Sequence, residues 1–260
     1  MEIYAAAVVY NKACRNSLTC KSLFGAVADH VHPLIIDNST ADFGNRDYCA
    51  EKGWLYCSMN GNAGLSRAYN RALELLHPAA ADLIVWADDD TEFPGNYFGD
   101  LIRWSEARPD AAVFLPVVMS RERMISPALY GKYRIRTAGS TDELAGREIT
   151  AINSGMAVRA SVYQNYRYNE EIFLDYLDHD FMRYCRSKKL PAAIMTQVLL
   201  QQSFFADSRP ERIAALKRRK IFSRDFRLYS KACGCFRPIT ELQLLKGRIR
   251  LELTCSRKGK

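Results

Sequence analysis

No apolar run in the 260-residue chain approaches the roughly 20 residues that a membrane-spanning helix needs, so a spanning segment is not expected. Eight cysteines are present, yet none stands in a CxxC pair. Cys233 and Cys235 lie too close together, and too far from other ligands, for a zinc knuckle. The scatter reads as reduced thiols rather than disulfides. Before the first apolar run there is an acid and no base, so no secretory leader is expected and the expected location is cytoplasmic. Glycine is missing from "VVYNKACRNSL", where a nucleotidyltransferase would carry a Gly-rich phosphate loop. There is no internal repeat and no low-complexity segment.

What is present suits a folded domain. Hydrophobic residues make up 48% of the chain, with 12 Phe and 14 Tyr, ample for a core. Charge is unevenly spread. Residues 209–260 carry 16 Lys plus Arg against 4 Asp plus Glu, a surplus of +12; with +8 overall, residues 1–208 stand at −4. Any attraction to an anionic surface therefore belongs to the tail.

The first half alternates strand-like and helix-like segments. "IYAAAVVY" (3–10), "HPLIIDN", "WLYCSMN" (54–60) and "LIVWA" are apolar runs, and a helix with Leu65, Ala68, Ala72, Leu75 and Leu76 at helical spacing precedes the last of them. This βα rhythm predicts an α/β fold with a mostly parallel sheet covered by helices on both faces. Further on, 95–107 reads as helix, 111–119 as strand, 120–147 as a long loop, 148–159 as strand, 173–190 as helix and 192–202 as the last strand. Each early strand ends in hydrogen-bonding groups: Asn11, then Asp37 and Asn38, then Asn60 and Asn62, then Asp88, Asp89 and Asp90. One such end is ordinary turn chemistry. Four on one rim predict a polar crevice beyond the carboxyl ends of the strands, where ligands bind in such sheets.

"DLIVWADDDTEFPG" (82–95) places three carboxylates at a strand end. In an extended chain Asp88 and Asp90 point the same way while Asp89 turns aside. Hard carboxylate oxygens suit Mg²⁺ or Mn²⁺, which take their remaining ligands from substrate phosphates and water. The competing reading is an acidic turn capping the next helix. A haloacid-dehalogenase-type phosphatase would carry a β-branched residue where Glu92 stands.

At these residues the chain resembles a family-2 inverting glycosyltransferase with the GT-A fold, of the bacterial rhamnosyltransferase and galactofuranosyltransferase-like subgroup. The likeness runs in order through "VVYN", "IIDNST", "NGNAGLSRAYNRAL", "VWADDDTEF", "INSGMAVR", "FLDYLDHDFMRYCRSK" and "KIFSRDFRLYSKACG". It implies displacement with inversion at a sugar's anomeric carbon, from a UDP- or dTDP-sugar, with Mn²⁺ or Mg²⁺ as cofactor. The acceptor would be a glycan or a polyprenyl-linked oligosaccharide in O-antigen or capsule synthesis. Position by position, it implies metal ligation by Asp88 and Asp90 and donor binding by Tyr10, Asn11, Asp37, Asn62, Arg67, Asp88 and Asp89. Asp178 matches the family's general base, with Asp175 and Asp180 able to exchange roles with it. Asn153, Ser154, Asp175 and His179 fall on the acceptor side; Asn153 and Ser154 read equally well as turn formers, and His179 as a helix-surface residue. Many relatives place a metal-binding His after the last strand, where "LLQQSFF" has Gln201 and Gln202.

The implied organisation is a glycosyltransferase domain over 1–207, split into a nucleotide-sugar half (1–119) and an acceptor half (120–207), with a basic helical extension over 208–260. In that extension Phe222, Phe226, Tyr229 and Cys233 recur at helical spacing among basic residues. Such a helix suits a peripheral site on an anionic membrane face and equally well packs its aromatic stripe on the domain. A nucleotidyltransferase and a basic nucleic-acid-binding protein are the alternatives; the first lacks its loop, and the second leaves the polar rim without a purpose and has no recognisable binding motif, so no nucleic-acid partner is expected.

Overall fold

Strand packing follows directly from side-chain alternation. In the first strand Ile3, Ala5, Ala7 and Val9 enter one apolar cluster while Ala6 and Val8 enter another. Leu83, Val85 and Ala87 against Ile84 and Trp86 repeat the division. Both faces are thus buried, as a parallel sheet requires.

The computed structural model describes residues 1–24, 30–202 and 212–256. In chain order its elements are β1 (Ile3–Val9), α1 (Leu18–Ser22), β2 (Val31–Asp37), α2 (Asn45–Lys52), β3 (Leu55–Ser58), α3 (Leu65–Leu75), β4 (Leu83–Asp88), β5 (Thr91–Glu92), α4 (Tyr97–Ala107), β6 (Val113–Ser120), β7 (Arg123–Ser126), β8 (Ala128–Leu129), β9 (Arg136–Thr137), β10 (Ile149–Thr150), β11 (Met156–Arg159), α5 (Leu177–Ser187), β12 (Ala192–Gln202), α6 (Arg212–Ala232) and α7 (Arg237–Ser256).

The main sheet runs β3-β2-β1-β4-β11-β6-β12-β5, with β7 added to β6. β3, β2, β1 and β4 are parallel, as are β6 and β12, while β11 enters antiparallel between β4 and β6. Helices α1, α2 and α4 cover one face, and α3 and α5 the other. Residues from both expected halves of the domain share this one sheet. The expected boundary at 207/208 lies outside the described residues.

Three expectations are refined. The strand expected over 148–159 is two strands parted by residues 151–155, because Gly155 sits at φ +72 and turns the chain. Residues 120–147 contain β7, β8 and β9, which are too short to show periodicity in sequence. Asp88 closes β4 and residues 89–90 form a turn, so the approach of Asp88 and Asp90 is the work of that turn rather than of strand alternation.

The aromatic stripe of α6 packs on the domain. Phe222, Phe226 and Tyr229 surround Tyr176 at ring-centroid distances of 5.5, 5.1 and 5.0 Å. Exposed apolar side chains lie instead on α7, at Ile239, Leu242, Leu245 and Ile249. No helix among the described residues is long and apolar enough to cross a membrane, and the cysteines described are all free.

Candidate functional site

The acidic turn is braced from behind before anything can bind in front. Thr19 Oγ1 donates to the backbone carbonyls of Asp88 and Thr91, and Ser17 Oγ to that of Asp89. In front, Ser154 Oγ donates to Asp88 Oδ2. From the end of β12, Gln202 Nε2 reaches Asp88 Oδ2 and Asp90 Oδ1, each at 3.2 Å. One amide thus bridges the two carboxylates. Gly155 makes this possible: a Cβ there would lie 2.5 Å from Leu200 Cδ2, so only glycine lets β12 pass so close behind Ser154.

Two partly buried acids so near each other resist ionisation. Burial first, then the charge of Asp90, raises the pKa of Asp88 to about 7, and Asp178 adds to the shift. Burial likewise raises Asp90, partly offset by the Gln202 hydrogen bond. Among the described residues no group of three or more His, Cys, Asp or Glu is placed to hold a metal. Asp88 and Asp90 nevertheless fit a divalent cation that takes further ligands from elsewhere. Gln202 Oε1 is buried with no hydrogen-bond partner. Turning that amide over would present its oxygen, a hard donor, to the space between the carboxylates.

Of the three acids grouped as candidate bases, the structure separates one. Asp175 is held by Arg218, whose Nη2 lies 2.6 Å from Oδ1 and whose Nη1 bonds Oδ2. Asp180 is 5% exposed and accepts from Arg183 Nε at 2.8 Å. Asp178 pairs with no lysine or arginine in the described structure; it accepts its neighbour's backbone N–H at 2.7 Å, and His179 Nε2 lies 3.9 Å away. Burial lowers the pKa of that histidine, which favours its neutral form. Asp178 therefore stands with no lysine or arginine paired to it among the described residues. Its electrostatic influence reaches both Asp88 and the hydroxyl of Tyr69. Asp175, expected on the acceptor side, has both its oxygens on Arg218. His179 Nδ1 shares a hydrogen bond with Thr150 Oγ1 at 2.7 Å, which fixes its ring.

On the donor side the expected residues do gather, with part of their capacity already used. Asn11, at φ +48, holds Ser39 and Thr40 through its backbone and side chain. Tyr10 projects into solvent, 47% exposed. Asp89 accepts from Lys12 Nζ and from the Tyr10 N–H, contacts that brace the β1 terminus. Asp37 is 6% exposed, and its oxygens accept from Ser39 N–H, Asn45 Nδ2 and Tyr56 O–H. Asp37, expected on the donor side, is thus enclosed at the end of β2 with its carboxylate hydrogen-bonded by its neighbours. Asn62 bonds Asn38 and the Gly64 N–H. Arg67 lies exposed, 3.3 Å from Glu170, an ion pair weak enough to exchange. At the start of α3 the Leu65 N–H donates to Phe173 O at 2.7 Å.

Several contributors carried no sequence signal of their own. Tyr69 is wholly buried, its hydroxyl faces the side-chain amide of Asn153, and beyond that contact neither side chain has a hydrogen-bond partner among the described residues. Buried polar atoms left unpaired are costly and mark a place built for something else. A second contributor is Asp225, the sole acid of α6. It is 0% exposed and accepts the backbone N–H groups of Phe173, Leu174 and Asp175 at 3.1, 2.8 and 2.9 Å. An acid in so basic and aromatic a helix was its one visible sign. Together with Arg218 it fixes the segment leading into α5, where Tyr176 adopts a left-handed φ of +64, strained for an aromatic residue.

Comparison with known proteins bears on the family and the fold. Residues 19–167 match the family described as Glycosyl transferase family 2. No curated protein matches the chain. Among solved structures the chain is similar to GalNAc-T7 with UDP, GalNAc and Mn²⁺ (TM-score 0.60, 8% identity, 78% of this chain and 44% of that one). It is also similar to S. aureus TarS 1-349 in complex with UDP-GlcNAc (TM-score 0.57, 11% identity, 87% and 66%). A third is glucosyl-3-phosphoglycerate synthase from Mycobacterium tuberculosis with Mn²⁺, UDP and phosphoglyceric acid (TM-score 0.58, 11% identity, 90% and 79%). The chain thus spans less than half the length of the first of these. The shared feature is the fold, a curled, mostly parallel sheet of the GT-A kind.

Proposed function

The chain belongs to glycosyl transferase family 2, and from that premise we propose that it transfers a sugar from a nucleoside-diphosphate donor to a hydroxyl acceptor with inversion at the anomeric carbon. The observation carrying this reading is the pairing of Asp88 with Asp90 across the Gln202 amide, beside an Asp178 that no arginine or lysine neutralises.

The chain's own residues divide the work. Asn11, Asn62 and Arg67 line the donor side, with Asp37 and Asp89 shaping it. Asp88 and Asp90, with the Gln202 oxygen, would hold Mn²⁺ or Mg²⁺. When bound, that ion supplies positive charge against the departing diphosphate. Asp178 takes the proton of the acceptor hydroxyl as its oxygen attacks the anomeric carbon, while the bond to the diphosphate breaks on the opposite face. The neutral His179 and the Thr150 hydroxyl keep the approach to Asp178 in one arrangement. Asn153 and Tyr69 offer their polar atoms to the sugar or the acceptor.

The finer assignment rests on sequence likeness. The sugar is rhamnose or galactofuranose-like, carried by UDP or dTDP, and the acceptor is a glycan or polyprenyl-linked oligosaccharide of a bacterial surface polysaccharide, O-antigen or capsule. The enzyme acts in the cytoplasm or at the inner face of the membrane. Residues 1–119 serve the nucleotide sugar and 120–207 the acceptor, with the 208–260 extension supporting the latter through α6. Mn²⁺ in two of the three similar structures, and UDP or UDP-GlcNAc in all three, support a metal and a uridine donor.

Calorimetry on Asp90→Asn tests the reading. Wild-type protein is expected to bind UDP in a Mn²⁺-dependent manner and the variant to lose that dependence. Equal, metal-enhanced binding by both would overturn the site. Repeating the titration with dTDP identifies the preferred base.

A further inference from the structure

A cavity of about 540 Å³ opens between α6, α7 and the 131–135 loop. Lys132, Arg134, Arg219 and Lys246 line it, and among the described residues no carboxylate does. A lining with that charge balance selects an anion. The volume is that of a site for a whole small molecule rather than for a lone phosphate. Its inner wall supplies the reason for the extra room: Tyr176, Phe222, Phe226 and Tyr229 form an aromatic surface suited to an apolar body.

The cavity is held in shape by hydrogen bonds. Gln243 Nε2 donates to Tyr133 O at 2.8 Å, Cys235 Sγ to Lys132 O at 3.0 Å and Arg219 Nη2 to Leu244 O at 2.6 Å. Two further relationships say what it is for. Tyr176 immediately precedes α5, two residues before Asp178, so the inner wall adjoins the acceptor side of the site. Lys246 lies one helical turn from both Leu242 and Ile249, so the cationic rim runs into the outward apolar face of α7.

We propose that this cavity is the acceptor's anchoring site and takes a lipid-linked phosphate or diphosphate. The phosphate meets Lys132, Arg219 and Lys246, the start of the lipid lies on the aromatic wall, and its continuation leaves along α7. The word acceptor rests on the glycosyltransferase reading above; the binding itself does not.

The test is calorimetry on the full chain in EDTA, with farnesyl diphosphate, inorganic diphosphate and farnesol as three separate probes. Farnesyl diphosphate is expected to bind at least ~10-fold more tightly than either of the others, since each lacks one half of the recognition. Lys132→Glu combined with Lys246→Glu is expected to weaken it by ~10-fold or more, through loss of charge-assisted contacts. Both lysines are exposed, so the variant keeps its fold; the single glutamine replacements give intermediate losses. Inorganic diphosphate binding as tightly as the farnesyl compound, or an unchanged affinity in the charge-reversed protein, would overturn the proposal. Mn²⁺-dependent UDP binding measured on the same preparation separates the two failures. Its absence defeats the glycosyltransferase reading, whereas UDP binding without farnesyl diphosphate binding defeats only the anchoring site.

Discussion

The carboxylate of Asp225 accepts the backbone N–H of Asp175 at 2.9 Å, across fifty positions of sequence. It takes the two preceding N–H groups as well, so a helix from the basic tail holds the strip that enters α5. An amide at 225 has a single acceptor oxygen and would turn an NH₂ group toward N–H donors. Asp225→Asn is expected to lower stability by about 2–4 kcal/mol, seen as a shifted denaturant midpoint. Turnover is expected to fall by at least ~10-fold while Mn²⁺-dependent UDP binding persists, because the strip positions Asp178 and not the donor.

Asp178→Asn removes the proton acceptor and little else. Donor binding is expected to stay near normal, with transfer slowed at least ~10²-fold in a single-turnover assay. Full turnover in this variant would move the role elsewhere. Asp175 and Asp180 are poor substitutes, since each is already bound to an arginine.

Gln202 stands where an imidazole would be the stronger ligand for Mn²⁺. Gln202→His is expected to tighten Mn²⁺ binding by roughly 10-fold in calorimetry. Gln202→Leu is expected to weaken it and to leave the two carboxylates without their shared donor. An unchanged metal affinity in both variants would remove Gln202 from the ligand set.

The raised pKa of Asp88, about 7, sets a pH dependence with a definite sign. Between its ordinary value near 4 and about 7 the folded protein holds a proton that the unfolded chain has lost. Stability of the metal-free protein is therefore expected to fall as pH rises through that window. Melting temperatures in EDTA from pH 4.5 to 7.5 check this, and Asp88→Asn should flatten the slope. Protons and Mn²⁺ compete for the same oxygens, so metal affinity is expected to rise between about pH 6 and pH 8.

Strand β12 was legible residue for residue, since "AAIMTQVLLQQ" coincides with Ala192–Gln202. Early strands and α3 were legible for the same reason, a long apolar run or a clean helical period. The reversal at β11 was not, because four residues carry no direction. Asp88 and Asp90 could be paired from their spacing, but their bridging donor is 114 positions from Asp88 and only tertiary structure joins them. Choosing among Asp175, Asp178 and Asp180 needed their partners, two arginines that nothing in the spacing of the acids indicates. Asp37 shows a related limit: a polar strand end looks alike in sequence whether its side chain stands open or is hydrogen-bonded by its neighbours, as here.

The bond from Leu65 N–H to Phe173 O carries a mechanical corollary. Leu65 begins α3, while Phe173 begins the strip that leads to Asp178, and the Phe173 ring lies against Gly64. The two banks of the crevice are stitched together before either ligand arrives. Their spacing is a constant of the molecule, to which sugar and hydroxyl must both conform.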